Sequence, residues 1–359
     1  MRFIDLFAGI GGFRLGFEKA GFRCVFSCEI DPRCREVYVD NFGEIPFVDI
    51  NNLDPVNISD FEVLVAGFPC QPFSISGKKG GFEDTRGTLF FEICRIIAVK
   101  QPKVIVLENV KYLIYHDNGL TLKTVISSLE ELGYIVEYDI LNAKDFGVPK
   151  HRERIIIIAT KGRRFKFSKI KPKITPKMRD FLDKEGDFEI LDKSEYTLIN
   201  SPKQQLSGLI FVGYRNKGMW KTGIRPNTEH LSRVHRQPNR IYSVDGVHPT
   251  IPSQETSGRF FIYFPEQDVV RKLTIKECYR LMGFSEEFNR HSNLGESYKQ
   301  IGNSICVLMV VSIAQEIINQ KLLFDDVDGL DCEPENSSLQ LTLFNTSNYE
   351  PQREIKKYL

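Results

Sequence analysis

Cys70 stands in Gly67-Phe68-Pro69-Cys70-Gln71-Pro72-Phe73-Ser74, directly after the apolar run Val63-Leu64-Val65-Ala66. A strand ending in a Pro-flanked turn presents the next side chain at the mouth of a sheet, where open α/β sheets bind ligands. A lone cysteine is more often a buried, inert packing residue. Here Pro69 and Pro72 stiffen both sides, and Gln71 is pushed towards extended geometry by the proline after it. Nothing nearby asks for an apolar side chain, so the thiol is presented rather than packed. Glu108 repeats that placement after the apolar run 104–107. Arg152 and Arg154 alternate along Pro149-Lys150-His151-Arg152-Glu153-Arg154 and so face the same way. Singly, each of these charges reads as a surface ion pair. Together they suit an anionic or electron-rich intermediate held beside a thiolate.

A second constellation is Phe3-Ile4-Asp5-Leu6-Phe7-Ala8-Gly9-Ile10-Gly11-Gly12-Phe13, a strand running into a Gly-rich turn that opens a helix. Such a turn lets backbone N–H groups approach a ligand. A dinucleotide fingerprint would need a third glycine at position 14, where Arg14 stands. Glu29, twenty residues after Gly9, ends the second strand and is placed to accept hydrogen bonds from a ribose diol. The pair suits a nucleoside cofactor without a pyrophosphate, such as S-adenosyl-L-methionine, although a purely structural turn explains the glycines equally well.

The elements that must position these groups follow from periodicity. Strands are predicted at 3–7, 24–30, 63–67, 104–108, 135–141 and 154–160. Helical stretches lie between them at 13–20, 89–99 and 121–132, the last with an apolar stripe of Leu122, Val125, Ile126, Leu129 and Leu132. This alternation signals an α/β fold, a parallel sheet covered on both faces. From Lys161 to about Val270 the pattern breaks. Residues 161–185 carry ten Lys/Arg against three acidic residues, and 211–240 carry seven against one, so this irregular region is a separate basic module. A basic run is usually a solvated face, but interleaved Tyr214, Trp220, His230 and His235 favour a polyanion-binding surface. Helical order returns at Arg271, with Thr274 and Glu277 as a capping box for a helix to Met282, then an apolar helix over 304–321. The expected domains are 1–160 plus 271–323, the insert 161–270, and a polar tail over 324–359.

At 359 residues the chain can bury a large core. It has no apolar run of the ~18 residues that suggest a membrane span, and no signal-peptide pattern at Met1. A soluble, cytoplasmic protein without membrane partners is expected. Eight irregularly spaced cysteines form no disulfide framework, and Cys24, Cys28 and Cys34 lack zinc-site spacing, so no metal is expected. The formal net charge of +1 is unevenly spread, and its distribution matters more than its sum.

The stretches DLFAGIGGF, GFPCQPFS, GTLFFEI, ENV, RER, RKLTIKECYRLMGF and YKQIGNS together resemble, in order and spacing, the bacterial DNA cytosine-5 methyltransferases over Met1 to about Lys321. Lys150 departs from the pattern, since many members carry Gln there. The resemblance implies a Rossmann-like, doubly wound sheet with a smaller, mostly β target-recognition domain. It implies Cys70 as the nucleophile on cytosine carbon-6 and Glu108 on ring nitrogen-3 and the exocyclic amine. Arg154 first, and Arg152 second, would hold the base carbonyl. S-adenosyl-L-methionine would lie along Gly9, Gly11, Phe13, Glu29, Ile30, Asp49, Ile50, Pro69, Leu89 and Asn303. The glycine-rich segment 74–88 would close over a flipped base, with Ser74 and Ser76 on the DNA. Gln237 would fill the vacated stack, Arg240 would contact guanine and Thr250 would hold the backbone beside the flipped nucleotide. Double-stranded DNA is the implied partner of a monomeric enzyme, with a cognate restriction endonuclease acting on the same site. A tRNA cytosine-5 methyltransferase and a catalytically inactive DNA-binding regulator on the same scaffold are the alternatives.

Overall fold

A computed structural model describes residues 1–69, 89–216, 228, 230–252 and 260–324. Cys70, Ser74, Ser76 and the rest of 74–88, together with Trp220, lie outside the described residues. The first sheet comprises β1 (Arg2–Leu6), β2 (Arg23–Cys28), β3 (Val63–Gly67), β4 (Val104–Val110), β5 (Ile135–Asn142) and β6 (Glu153–Thr160), in the order β2-β1-β3-β4-β6-β5. Strands β2, β1, β3 and β4 are mutually parallel. The expected parallel arrangement has one exception, because β6 runs antiparallel to both β4 and β5. Only residues 143–152 join β5 to β6, and a parallel crossover needs a dozen or more.

Strict alternation along the central strands fills both faces. Val63, Val65, Val104, Val106, Ile156 and Ile158 enter one core, while Leu64, Ala66, Ile105, Leu107, Ile155 and Ile157 enter the other. The second face is covered by α3 (Leu89–Lys100) and α4 (Leu120–Glu131), through Ile93, Ile97, Val125 and Leu129. The first is covered by α1 (Gly12–Lys19) and, from far along the chain, α7 (Val307–Asn319). The two helices touch closely, since a Cβ on Gly16 would overlap Val310. Helix α2 (Pro32–Phe42) begins with Asp31 capping the Arg33 amide and Pro32 in the first turn, and ends at left-handed Gly43. It buries only Val37 and Tyr38, so its apolar period is weak.

Two short helices complete the set before α7: α5 (Ile275–Arg280), opened by the Thr274 and Glu277 capping box, and α6 (Leu294–Asn303). The stretch Leu294–Asn319 is long and apolar enough to cross a membrane by composition. It is broken between α6 and α7, however, and α7 buries Val307, Met309, Val310, Ile313, Ala314 and Ile317 in the core.

A second sheet, ordered β11-β10-β9-β8-β7, is built from β7 (Tyr196–Gln204), β8 (Ile210–Arg215), β9 (Arg240–Ser243), β10 (Phe261–Phe264) and β11 (Val269–Lys272). One face packs a small cluster of Leu191, Val212, Ile241, Phe261 and Val270. Phe211, Tyr242 and Ile262 on the other join the core of the first sheet. Met1–Leu323 is accordingly one compact unit, and Phe324–Leu359 is a second, of which Phe324 alone is described.

Candidate active site

A cleft of about 710 Å³ opens at the carboxyl ends of β1 to β4 and is closed on its far side by residues 250–252 and 302–305. The strand order reverses between β1 and β3, the switch point where open α/β sheets bind ligands. Gly9, Phe13, Glu29, Ile30, Asp49, Ile50, Pro69, Leu89 and Asn303 all line it. Gly11 does not. It sits left-handed (φ 86°) at the N-terminus of α1, where a Cβ would overlap the Phe42 ring, and so shapes the turn from behind.

Glu29 is held by the turn it serves. One carboxylate oxygen accepts from the Gly9 amide at 2.7 Å and the other from the Asp31 amide at 2.8 Å. Burial raises its pKa, while those two donors stabilise the charged form. Beside it lie buried Phe13 and Ile50 and exposed Ile30. Asp49 caps the short helix Ile50–Asn52 through the Asn51 amide at 3.0 Å. An apolar slot with one fixed carboxylate fits an adenosine group without a pyrophosphate, and 710 Å³ accommodates a cofactor of that size.

Glu108 and Arg154 form the other end. Arg154 Nε donates to Glu108 Oε1 at 2.8 Å, with both side chains nearly buried. Burial pulls the Arg154 pKa down and the Glu108 charge opposes it. Asn109, whose role sequence reasoning missed, donates from Nδ2 to the Phe68 carbonyl at 2.9 Å and accepts from the Val110 amide at 2.8 Å. It ties the end of β4 to the turn at Pro69. Its place directly after Glu108 at a strand end was the available signal.

Arg152 shares Arg154's inward direction but lies deeper and does not line the cleft. Its guanidinium donates to the Ser304 carbonyl at 2.7 Å and the Gly302 carbonyl at 2.9 Å, with the Ile251 carbonyl 3.5 Å away. It thereby fastens the wall that carries Asn303. Among the residues expected to meet DNA, Thr250 lines the cleft. Gln237 stands one bond behind, its Nε2 donating to the Thr250 carbonyl at 2.9 Å. Arg240 lies outside the cleft, with Nε donating to the His235 carbonyl at 2.9 Å and the His235 ring stacked 4.0 Å from Tyr214.

An apolar slot with one fixed carboxylate and a carboxylate–guanidinium pair share one cleft at the switch point, an arrangement suited to a nucleoside-cofactor methyltransferase. The chain belongs to the C-5 cytosine-specific DNA methylase family, whose sequence model matches residues 1–319. It is 39% identical over 331 residues to the Type II methyltransferase M.HhaI of Haemophilus parahaemolyticus, covering 88% of this chain and 94% of that one. It is 40% identical over 308 residues to M.NgoBI of Neisseria gonorrhoeae, covering 86% and 90%. Among solved structures, Spodoptera frugiperda DNMT2 superposes with a TM-score of 0.62 at 18% identity, covering 90% of this chain and 99% of that one. S. pombe Dnmt2 methyltransferase gives 0.60 at 21%, covering 89% and 99%. These likenesses show the fold. The protein is a DNA cytosine-5 methyltransferase whose methyl donor is S-adenosyl-L-methionine, and the RNA-modifying and inactive alternatives are not favoured.

Proposed function

We propose that this enzyme methylates carbon-5 of a cytosine flipped out of a short, specific duplex site, within a restriction-modification system. The observation that carries the reading is that the Glu108–Arg154 pair and the Glu29 slot open into one cleft. A reacting base and a nucleoside cofactor can therefore meet there. Cytosine carbon-5 is a poor nucleophile until a thiolate adds to carbon-6. Cys70, next in the chain after the cleft residue Pro69, supplies that thiolate. Glu108 contacts ring nitrogen-3 and the exocyclic amine, and Arg154 orients Glu108 while facing the base carbonyl, so charge developing on the ring is met by fixed partners. S-adenosyl-L-methionine supplies an electrophilic methyl group. Carbon-5 gains that methyl, then loses its proton as the sulfur–carbon-6 bond breaks and Cys70 is released.

The slot residues hold the donor, with Glu29 on the ribose diol and Phe13 against the adenine. Because a stacked base is out of reach, flipping costs a few kcal/mol, which contacts from Thr250, Gln237, Ser74 and Ser76 offset. The module over 161–270 reads the sequence, with Arg240 on a guanine. Two Type II relatives support a modification role beside an endonuclease acting on the same site; we take the enzyme to work as a cytoplasmic monomer. The test is a duplex carrying 5-fluorocytosine at the target, since fluorine cannot leave as a proton. Wild-type protein should be trapped covalently through Cys70, whereas Cys70→Ala should bind DNA but neither trap nor turn over. Turnover by Cys70→Ala would remove Cys70 from the mechanism.

A further inference from the structure

Thr250, Ile251 and Pro252 form a wall of the cleft, yet they follow β9 and belong to the second sheet's side of the chain. A seam holds them against the first sheet. His248 and Lys150 pair as an isolated parallel bridge. The His248 amide donates to the Pro149 carbonyl at 2.7 Å, and the His151 amide donates to the His248 carbonyl at 2.8 Å. Side chains extend it, with Thr250 Oγ1 donating to the His151 carbonyl at 2.8 Å and Lys150 Nζ lying 2.8 Å from His248 Nδ1. Lys150 and His248 are both 0% exposed.

We propose that Lys150 and His248 are positioning residues that seat Thr250 at the target end of the cleft, and that they do so only while the pair carries no more than one positive charge. The inference rests on the reading of Thr250 as a contact beside the flipped nucleotide. His248 Nδ1 has one lone pair, or one proton to give to the Pro249 carbonyl 2.6 Å away. In either tautomer the imidazole is neutral. A protonated ring would set N–H against the Lys150 ammonium at contact distance in a dry seam.

Among the described residues no carboxylate is hydrogen-bonded to either side chain. The groups that bear on Lys150 are Arg152, Arg154, Cys278 of α5 and Cys306 before α7, and the one on His248 is Lys150 itself. Glu153, the acid of this strip, is engaged by Lys111, and Glu108 on β4 is engaged by Arg154. Burial pulls both His248 and Lys150 well below their ordinary values. For His248 the sign is clear. The released loop takes up a proton below about pH 6.5 and the seated one does not, so seating weakens as pH falls through that ordinary value. For Lys150 the same sign puts the penalty already at neutral pH, and an uncharged donor would relieve it.

The test uses the full chain and measures KM for duplex DNA and for S-adenosyl-L-methionine between about pH 8 and about pH 6, a range spanning the ordinary imidazole value. Wild-type KM for DNA should rise ~4-fold towards the acid end, with the cofactor KM little changed. Lys150→Gln keeps a donor to Nδ1 without a charge, and should hold the DNA KM and lessen that rise, because burial still disfavours the imidazolium but the neighbouring charge is gone. Lys150→Met keeps neither donor nor charge, and should raise the DNA KM severalfold at both ends. A flat wild-type profile, a Lys150→Gln slope equal to wild type, or equal loss in both KM values would overturn the assignment. Should Lys150→Met not fold, the wild-type and Lys150→Gln slopes decide alone. Absence of methyl transfer by wild type at any pH would sink the functional reading itself, and this one with it.

Discussion

Glu29 shows how one residue can be legible in position and still hold a surprise in its contacts. Its spacing from Gly9 and its place at the end of β2 pointed to a ribose ligand, and it lines the cleft. What the spacing did not reveal is that Glu29 also pins the turn, through the Gly9 and Asp31 amides. Glu29→Ala should therefore raise the KM for S-adenosyl-L-methionine by ~10-fold or more, equivalent to a charge-assisted bond or two. Glu29→Gln, which can still accept from one amide, should lose less. A cofactor KM unchanged in folded Glu29→Ala would remove Glu29 from the slot. Arg152 illustrates the opposite limit. Alternation gave its direction, shared with Arg154, but its partners are carbonyls at Gly302 and Ser304. Backbone carbonyls exist at every position, so they leave no mark in a sequence.

At the scale of elements, the central strands were legible because Val, Ile and Leu there alternate between two filled cores. Helix α2 was overlooked, since burying only Val37 and Tyr38 leaves little apolar period, although Asp31, Pro32 and Gly43 mark its ends. The start of α5 was read from Thr274 and Glu277, and both arms of that capping box are present. Glu277 does more than cap. It accepts two hydrogen bonds from Arg271, at 2.7 and 2.9 Å, with both side chains almost wholly buried. It also accepts the Thr274 and Asp183 amides. Arg271 in turn lies over the rings of Phe188 and Phe264. A buried pair need not stabilise, but breaking one leaves an uncompensated charge. Arg271→Leu should cost about 3–5 kcal/mol in denaturant unfolding. Adding Glu277→Gln should recover part of that, because the amide carbonyl still accepts from Thr274 without a buried charge. A single-variant loss below about 1 kcal/mol would show the pair to be dispensable.

For the whole molecule, the basic insert was visible as a break in periodicity and a run of charge, but its docking was not. Apolar contacts such as Phe211, Tyr242 and Ile262 on the first sheet's core join residues far apart in sequence, and single-sequence periodicity carries no information about such pairs. The boundary placed between 270 and 271 falls inside β11, whose Val270 carbonyl accepts the Leu191 amide. That arrangement places Thr250 in the cleft with Glu108 and Arg154 while Arg240 remains outside it, in keeping with the proposal that reading and reaction are divided between the two sheets. The most direct test of the central claim is incubation of the purified chain with S-adenosyl-L-methionine and a randomised duplex library, read by nucleoside mass spectrometry and bisulfite sequencing. The account requires 5-methylcytosine at one short recurring sequence; methyl groups on adenine or on the cytosine amine, or no base methylation at all, would contradict it.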